Sequence, residues 1–244
     1  MQCRLRAYES PIRRDPTQPY LCPVPFPMKC CVHEFSNGIA PRSRFRSRKW
    51  PSPIWYASSA TLTLSNRHGF HAMTLRELAK TSGLSMGSLY SYFDNKETLL
   101  SMILGEVSAT VTEVLNALPE EVPGGAGRHL DWLIGTHIRL TDEMRPWFTF
   151  VFMEAKEFPR KARRMAIESE ASTERIFAAV LERGKKSGEF QIVDVGLTAA
   201  LIKPVVQDWY VKHAKYRKRG IDVDQFAAAA TRFLTGATGR RTRR

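Results

Sequence analysis

From about residue 54 onward, apolar positions recur at three- and four-residue spacings, the pattern of helices that turn one face to a core. No stretch alternates apolar and polar residues with a period of two, and Asn37-Gly38 lies in an irregular stretch, so no strand or hairpin is predicted. Caps and breakers divide the run. A first helix spans roughly 54–67, before Gly69. Thr74 opens a short helix that ends at Ser82-Gly83, and Ser85 opens another that ends near Phe93. Asn95 caps a long helix, 96–117, closed by Pro119 and Pro123. Helices follow at about 128–141, 144–157 and 160–186, the last closed by Gly184 and Gly188. Asp194 caps 195–217, which Gly220 stops and Pro204 should kink, and Asp222 caps 223–235. About nine helices result, an all-α fold.

The segment 74–93 carries the chemistry. Thr74 with Glu77 three residues on forms a capping box, and Leu75, Leu78 and Ala79 make one apolar face. Gly83 supplies the positive φ of a sharp turn and Leu84 plugs the angle. Ser85 caps a second helix whose buried side is Leu89 with Phe93. Two short helices joined this way form a helix-turn-helix. Met86, Gly87, Ser88 and Ser91 keep the outer face of the second helix slim enough for a major groove about 12 Å wide.

Gly-Phe-His-Ala-Met-Thr-Leu-Arg-Glu-Leu-Ala (69–79), Gly-Leu-Ser-Met-Gly-Ser-Leu-Tyr-Ser-Tyr-Phe (83–93) and Asn-Lys-Glu-Thr-Leu-Leu (95–100) resemble the DNA-binding domain of the TetR family of bacterial repressors. The resemblance implies an N-terminal three-helix helix-turn-helix domain followed by a helical ligand-binding and dimerisation domain, acting as a cytoplasmic homodimer on operator DNA. By position it makes Arg76, Met86, Gly87, Ser88 and Ser91 the residues facing base edges, with Ser85 at the head of that helix. Thr74, Tyr90, Tyr92 and Lys96 would hold phosphates.

One part departs from the family's pattern. Residues 54–68 keep a thin stripe of Ala57, Ala60 and Leu64, and Ser65 stands where an aromatic anchor is expected. This carries the expectation that the chain before about residue 66 stems from a displaced reading frame or start codon.

The rest of the chain reads as the sensing half. Trp132, Trp147, Phe148, Phe150, Phe152 and Phe177 supply core, and Trp132, His137, Arg139, Trp147, Phe150 and Glu154 are the candidates for lining a small-molecule pocket. Phe-Met-Glu-Ala-Lys (152–156) and Gln-Asp-Trp-Tyr (207–210) resemble members that sense acyl or other hydrophobic metabolites. Over 198–235, the stripes Ala199, Ile202, Val206, Trp209, Tyr210 and Phe226, Ala229, Ala230, Phe233 are expected to build the dimer interface. Lys212 to Arg219 reads as a solvated basic helix end.

Composition changes this picture little. The net charge of +13 sits mostly at the ends: residues 1–50 carry +7 and the tail 236–244 carries +4. Such ends steer a chain toward phosphate without choosing a sequence. Residues 1–50 hold seven of the fourteen prolines and all four cysteines, with no zinc-ligand spacing, and read as a disordered basic extension. The domain plan is therefore 1–50 extension, 51–98 helix-turn-helix, 99–236 helical body and 237–244 Arg-rich tail. The run Gly124-Gly125-Ala126-Gly127 reads as a flexible joint, since a phosphate loop would need a Gly-Lys-Ser/Thr ending. No apolar run is long enough for a membrane span, and no cofactor or metal is called for.

Two other classes stand beside the regulator. Gly83-Leu-Ser85-Met-Gly87 matches the hydrolase elbow Gly-x-Ser-x-Gly, but that elbow needs a preceding strand, so no enzyme is expected. A helical small-molecule carrier with a DNA head impaired by its first helix is the nearer alternative.

Overall fold

The computed structural model describes residues 52–117 and 124–239. Among them the chain is helical throughout: α1 (Ser52–His68), α2 (Leu75–Ser82), α3 (Met86–Tyr90), α4 (Lys96–Asn116), α5 (Ala126–Glu143), α6 (Arg145–Glu154), α7 (Arg160–Lys186), α8 (Val195–Val211), α9 (His213–Lys218) and α10 (Val223–Ala237). The 1–50 extension with its cysteines, Pro119, Pro123 and residues 240–244 of the Arg-rich tail lie outside the described residues.

The caps read from the sequence are in place. Asn95 Oδ1 accepts from the Thr98 amide at 2.8 Å, Asp194 Oδ1 from Leu197 at 2.9 Å, and Asp222 Oδ1 from Gln225 at 2.8 Å. Each satisfies one amide left open in a first helical turn. The central helix is α5, which packs on α4, α7, α8 and α10. Leu130, Leu133, Ile134, Ile138 and Leu140 are its buried face. Against it lies α4, with Leu99, Leu100, Ile103, Leu104, Val107, Val111, Val114 and Leu115 buried. By length and composition α4 resembles a membrane-crossing helix, but half of its apolar window is buried inside the fold.

Several boundaries differ from expectation, the first for a tertiary reason. The Gly124–Gly127 run is no joint throughout, because Ala126 and Gly127 begin α5. Their amides donate to Glu189 Oε1 and Oε2 at 3.0 and 2.9 Å. A Cβ on Gly125 would sit 2.0 Å from that carboxylate, so glycine is what admits the clamp. The predicted 195–217 helix breaks at Lys212, whose ψ of 31° leaves helical geometry and starts α9. The helix predicted over 144–157 ends at Glu154 and tightens into a 3₁₀ turn, Ala155–Glu157. The planned boundary at 98/99 falls inside α4, which runs through it unbroken.

The first helix forms over its full length, and Ala57, Ala60 and Leu64 are its buried stripe. It leans on α2 and on α6. Its partner on α6 is an aromatic one: the Trp55 and Trp147 rings are 5.9 Å apart. Beyond α1, Phe70 inserts edge-on between Phe150 and Phe158, with centroids 6.0 and 6.1 Å away. The N-terminal helices are thus seated on the body through α6.

Candidate functional site

The α2–α3 unit is built by local chemistry. Thr74 Oγ1 accepts from the Glu77 amide at 3.2 Å, and Glu77 Oε2 accepts from the Thr74 amide at 2.9 Å, closing the capping box. The same carboxylate takes the Thr74 hydroxyl proton at 2.8 Å. These bonds hold the Glu77 carboxyl below its usual range. Gly83 then turns the chain at φ 71°, a left-handed value that a side chain would strain. The Leu84 amide closes the turn on Ala79 O at 3.1 Å. Ser85 Oγ accepts from Ser88 N at 3.1 Å and so caps α3. A helix, not a strand, precedes Ser85, so the elbow reading finds no support in the backbone.

Leu78, Ala79, Leu89 and Phe93 are buried, and α3 packs against α1 and α2. What remains outside is Arg76, Ser85, Gly87, Tyr90, Ser91 and Tyr92, all exposed. Tyr90 and Tyr92 show 52% and 37% of their surface, unusually much for ring side chains. Met86 is half-buried and leans on the core rather than projecting freely, and Ser88 is half-buried too. The Ser91 hydroxyl donates back to Ser88 O at 2.7 Å. Most of the expected base-facing and phosphate-facing residues are therefore open to solvent, with two exceptions in chemistry. The Thr74 hydroxyl is engaged in its own cap. Lys96 is turned inward: its ammonium donates to the carbonyls of Phe70, His71 and Met73, the last at 3.1 Å, and lies 5.5 Å over the Phe70 ring. Those three acceptors take up its three protons, so it pins the α1–α2 loop. Lys80, exposed on the last turn of α2 with no ion pair among the described residues, is a cation that the sequence reading passed over. Its position in α2's final turn was the available signal.

The six residues expected to line a pocket do not converge. Trp147 and Phe150 are core aromatics under the head. Trp132 is half-buried beside His129. Arg139 pairs with Asp224 of α10 at 2.9 Å, near the surface. Glu154 reaches the head instead, its Oε2 accepting the Phe70 amide at 3.0 Å. His137 alone lies deep in the body. It is fully buried, its Nε2 stands 3.3 Å from the equally secluded Lys203 Nζ, and its Nδ1 has no partner among the described residues. Burial lowers the Lys203 ammonium to about 8, against the pull of Glu170 and Glu174 on α7. Burial, then the Lys203 charge, holds His137 well below its ordinary value. An open groove of about 1130 Å³ lies elsewhere, between α4 and α7, and none of the six lines it.

The stripes expected to pair two protomers are divided: Ala229 and Phe233 stay exposed. Ala199, Ile202, Val206, Trp209 and Tyr210 are buried within the chain, as are Phe226 and Ala230. An amphipathic stripe does not say whose core it serves. The apolar groups left outside are Leu197 and Leu201 on α8, Val193 before it, and Phe233 on α10 at 67% exposure.

Known proteins resemble a large part of this chain. The profile of bacterial regulatory proteins of the tetR family matches residues 59–103, and that of the tetracyclin repressor-like C-terminal domain matches 126–236. The first match begins at residue 59, inside the stretch expected to be out of frame. The transcriptional repressor KstR2 of Rhodococcus jostii is 29% identical over 156 residues, 61% of this chain and 74% of that protein. The regulator BetI of Escherichia coli is 30% identical over 96 residues, 37% of this chain and 49% of BetI. Among solved structures, a tetR-family regulator from Rhodococcus RHA1 superposes with a TM-score of 0.69 at 19% identity, covering 79% of this chain and all of its own. The regulator FadR of Bacillus subtilis, solved with stearoyl-CoA, gives 0.58 at 19% identity, covering 74% and 96%.

Proposed function

Because the chain belongs to the TetR family of bacterial transcriptional regulators, we propose that it is a cytoplasmic repressor: a homodimer that holds a near-palindromic operator and lets go when a small hydrophobic inducer enters its body. The observation that carries the DNA reading is the solvent face of α3. A slim Gly87–Ser91 edge, flanked by the exposed Tyr90 and Tyr92 phenols, is set at a fixed angle by Gly83. Two such helices about one turn of duplex apart would enter successive major grooves. Arg76 reads base edges, its guanidinium being able to bond in bidentate fashion; Tyr90, Tyr92 and Lys80 would contact phosphate.

Pairing through Leu197, Leu201 and Phe233 would cover the largest apolar side chains that α8 and α10 leave outside. Leu201→Asp with Phe233→Asp is expected to give a monomer by analytical ultracentrifugation and to lose operator binding. A variant that stays dimeric would move the interface elsewhere. Release is read as a population shift: an inducer that prefers the splayed arrangement draws the heads apart. A fatty acyl ligand is the reading that the FadR complex with stearoyl-CoA favours.

The second reading, a carrier with an impaired head, draws on two hydroxyls. Ser58 Oγ and Ser65 Oγ are buried in α1 with no partner among the described residues. Titrating labelled DNA from beside the gene separates the two: a regulator gives a saturable, inducer-sensitive shift, and a carrier gives none.

A further inference from the structure

We propose that the groove between α4 and α7 binds an amphipathic organic anion, with its apolar body along α4 and its acidic head against Lys161 and Arg164. The inference rests on the chain being a ligand-responsive regulator and says where, and by what chemistry, the ligand is read.

The groove exists because α4 is slim on one side. Gly105, Ser108, Ala109 and Thr112 follow one another at helical spacing, and all four line it. Leu104 and Met165 add apolar surface. At about 1130 Å³ it exceeds the roughly 300–1,000 Å³ usual for small-molecule sites, so a long chain can lie in it.

Charge selects the head. The first five residues of α7 include Arg160, Lys161, Arg163 and Arg164, at the helix end whose dipole is already positive. That crowding is unfavourable without an anion nearby. Arg163 is accounted for, donating to the carbonyls of Lys156 and Phe158 at 2.8 and 3.3 Å. Lys161 and Arg164 line the groove and make no ion pair among the described residues. Of the two carboxylates in the lining, Glu168 is held by Arg175 at 2.6 Å. Glu113, on α4, is exposed, its carboxyl pushed up only by partial burial, and it offsets one of the two free cations. The surplus is cationic. It also argues against the chain's own residues 1–50 as occupant, since they carry +7.

The test is isothermal titration of the full chain with laurate, lauroyl-CoA and dodecanol. A Cβ built on Gly105 meets nothing within 4 Å, so Gly105→Phe fills the groove without displacing the backbone. It should weaken laurate or lauroyl-CoA at least tenfold while the melting temperature is kept. The surface pair Lys161→Gln with Arg164→Gln should weaken the acids about tenfold and leave dodecanol unchanged. Comparing laurate with lauroyl-CoA tells whether a free carboxylate or a phosphate-bearing thioester supplies the charge. The site is overturned if Gly105→Phe binds the acids as wild type does, if dodecanol binds wild type as tightly as they do, or if neither acid binds. Operator release is followed separately by anisotropy. Binding that leaves DNA affinity untouched would sink the sensor reading while supporting the groove.

Discussion

The head and the body of this protein solve the same packing problem with different materials. In the body, α4 buries eight aliphatic side chains and one threonine, and the polar liability is concentrated in one place, the His137–Lys203 contact. In the head, α1 buries Ser58, Thr61 and Ser65 among its alanines and leucines. Thr61 settles its proton on Ala57 O at 2.9 Å, but the two serines find no partner among the described residues. A buried group left unpaired costs about 1–3 kcal/mol, a penalty that the body's aliphatic α4 does not carry. The head leans on α6, through Trp55 on Trp147, Phe70 between Phe150 and Phe158, and the Phe70 amide on Glu154. The helix-turn-helix region is thus held in place by the helix that sits between it and the rest of the body, and a displacement of α6 would reach the head through those contacts.

The sharpest way to break this contrast is Phe70→Ala. Emptying that aromatic seat should cost about 3–5 kcal/mol, felt at the seam between head and α6. Hydrogen exchange should show residues 54–93 opening while α4, α5 and α7 stay protected; uniform loss would mean that the two regions are one cooperative unit.

Next in size is Lys203→Met. The folded ammonium titrates near 8 and the unfolded one near 10.5, so the unfolded chain binds more protons between those values. The burial penalty is therefore fully felt below about pH 8 and fades as pH climbs to about 10.5. Urea melts at pH 7 should find the variant more stable by about 3 kcal/mol, with the advantage gone by about pH 11. An equal gain at both pH values would show that packing, not charge, is responsible.

Ser65→Ala should stabilise the head by roughly 1 kcal/mol by removing an orphan hydroxyl. A loss on the same urea scale would mean that the hydroxyl has a partner after all.

The smallest effect separates two lysines. Lys80→Ala should weaken all DNA sequences alike and flatten the salt slope by about one unit. Lys96→Ala should leave the slope alone and instead loosen the α1–α2 loop, because its protons serve three carbonyls there.

What could be read from the sequence was whatever is decided within one turn of helix. The Thr74–Glu77 box, the Gly83 turn, the Ser85 cap and the caps at Asn95, Asp194 and Asp222 all stand where local spacing put them. What escaped it depends on distant chain. Glu189 clamps the start of α5 from more than sixty residues away, and Glu154 serves the Phe70 amide across a sequence separation of 84. The stripe through Ile202, Val206 and Trp209 was rightly seen as apolar, but periodicity could not tell the chain's own core from a partner's. The α4–α7 groove follows from small residues on one helix meeting cations on another, which no single-segment pattern contains.

The most direct test of the DNA-binding claim is footprinting on the DNA beside the gene with wild type and Gly87→Glu. Gly87 lies on the exposed edge of α3, and a Cβ there meets only Ser85 Oγ, at 3.9 Å, so the fold should survive the change. The account predicts saturable protection of a near-palindrome by wild type and none by the variant at the same concentration. Equal protection by both, or no saturable protection by either, would contradict it.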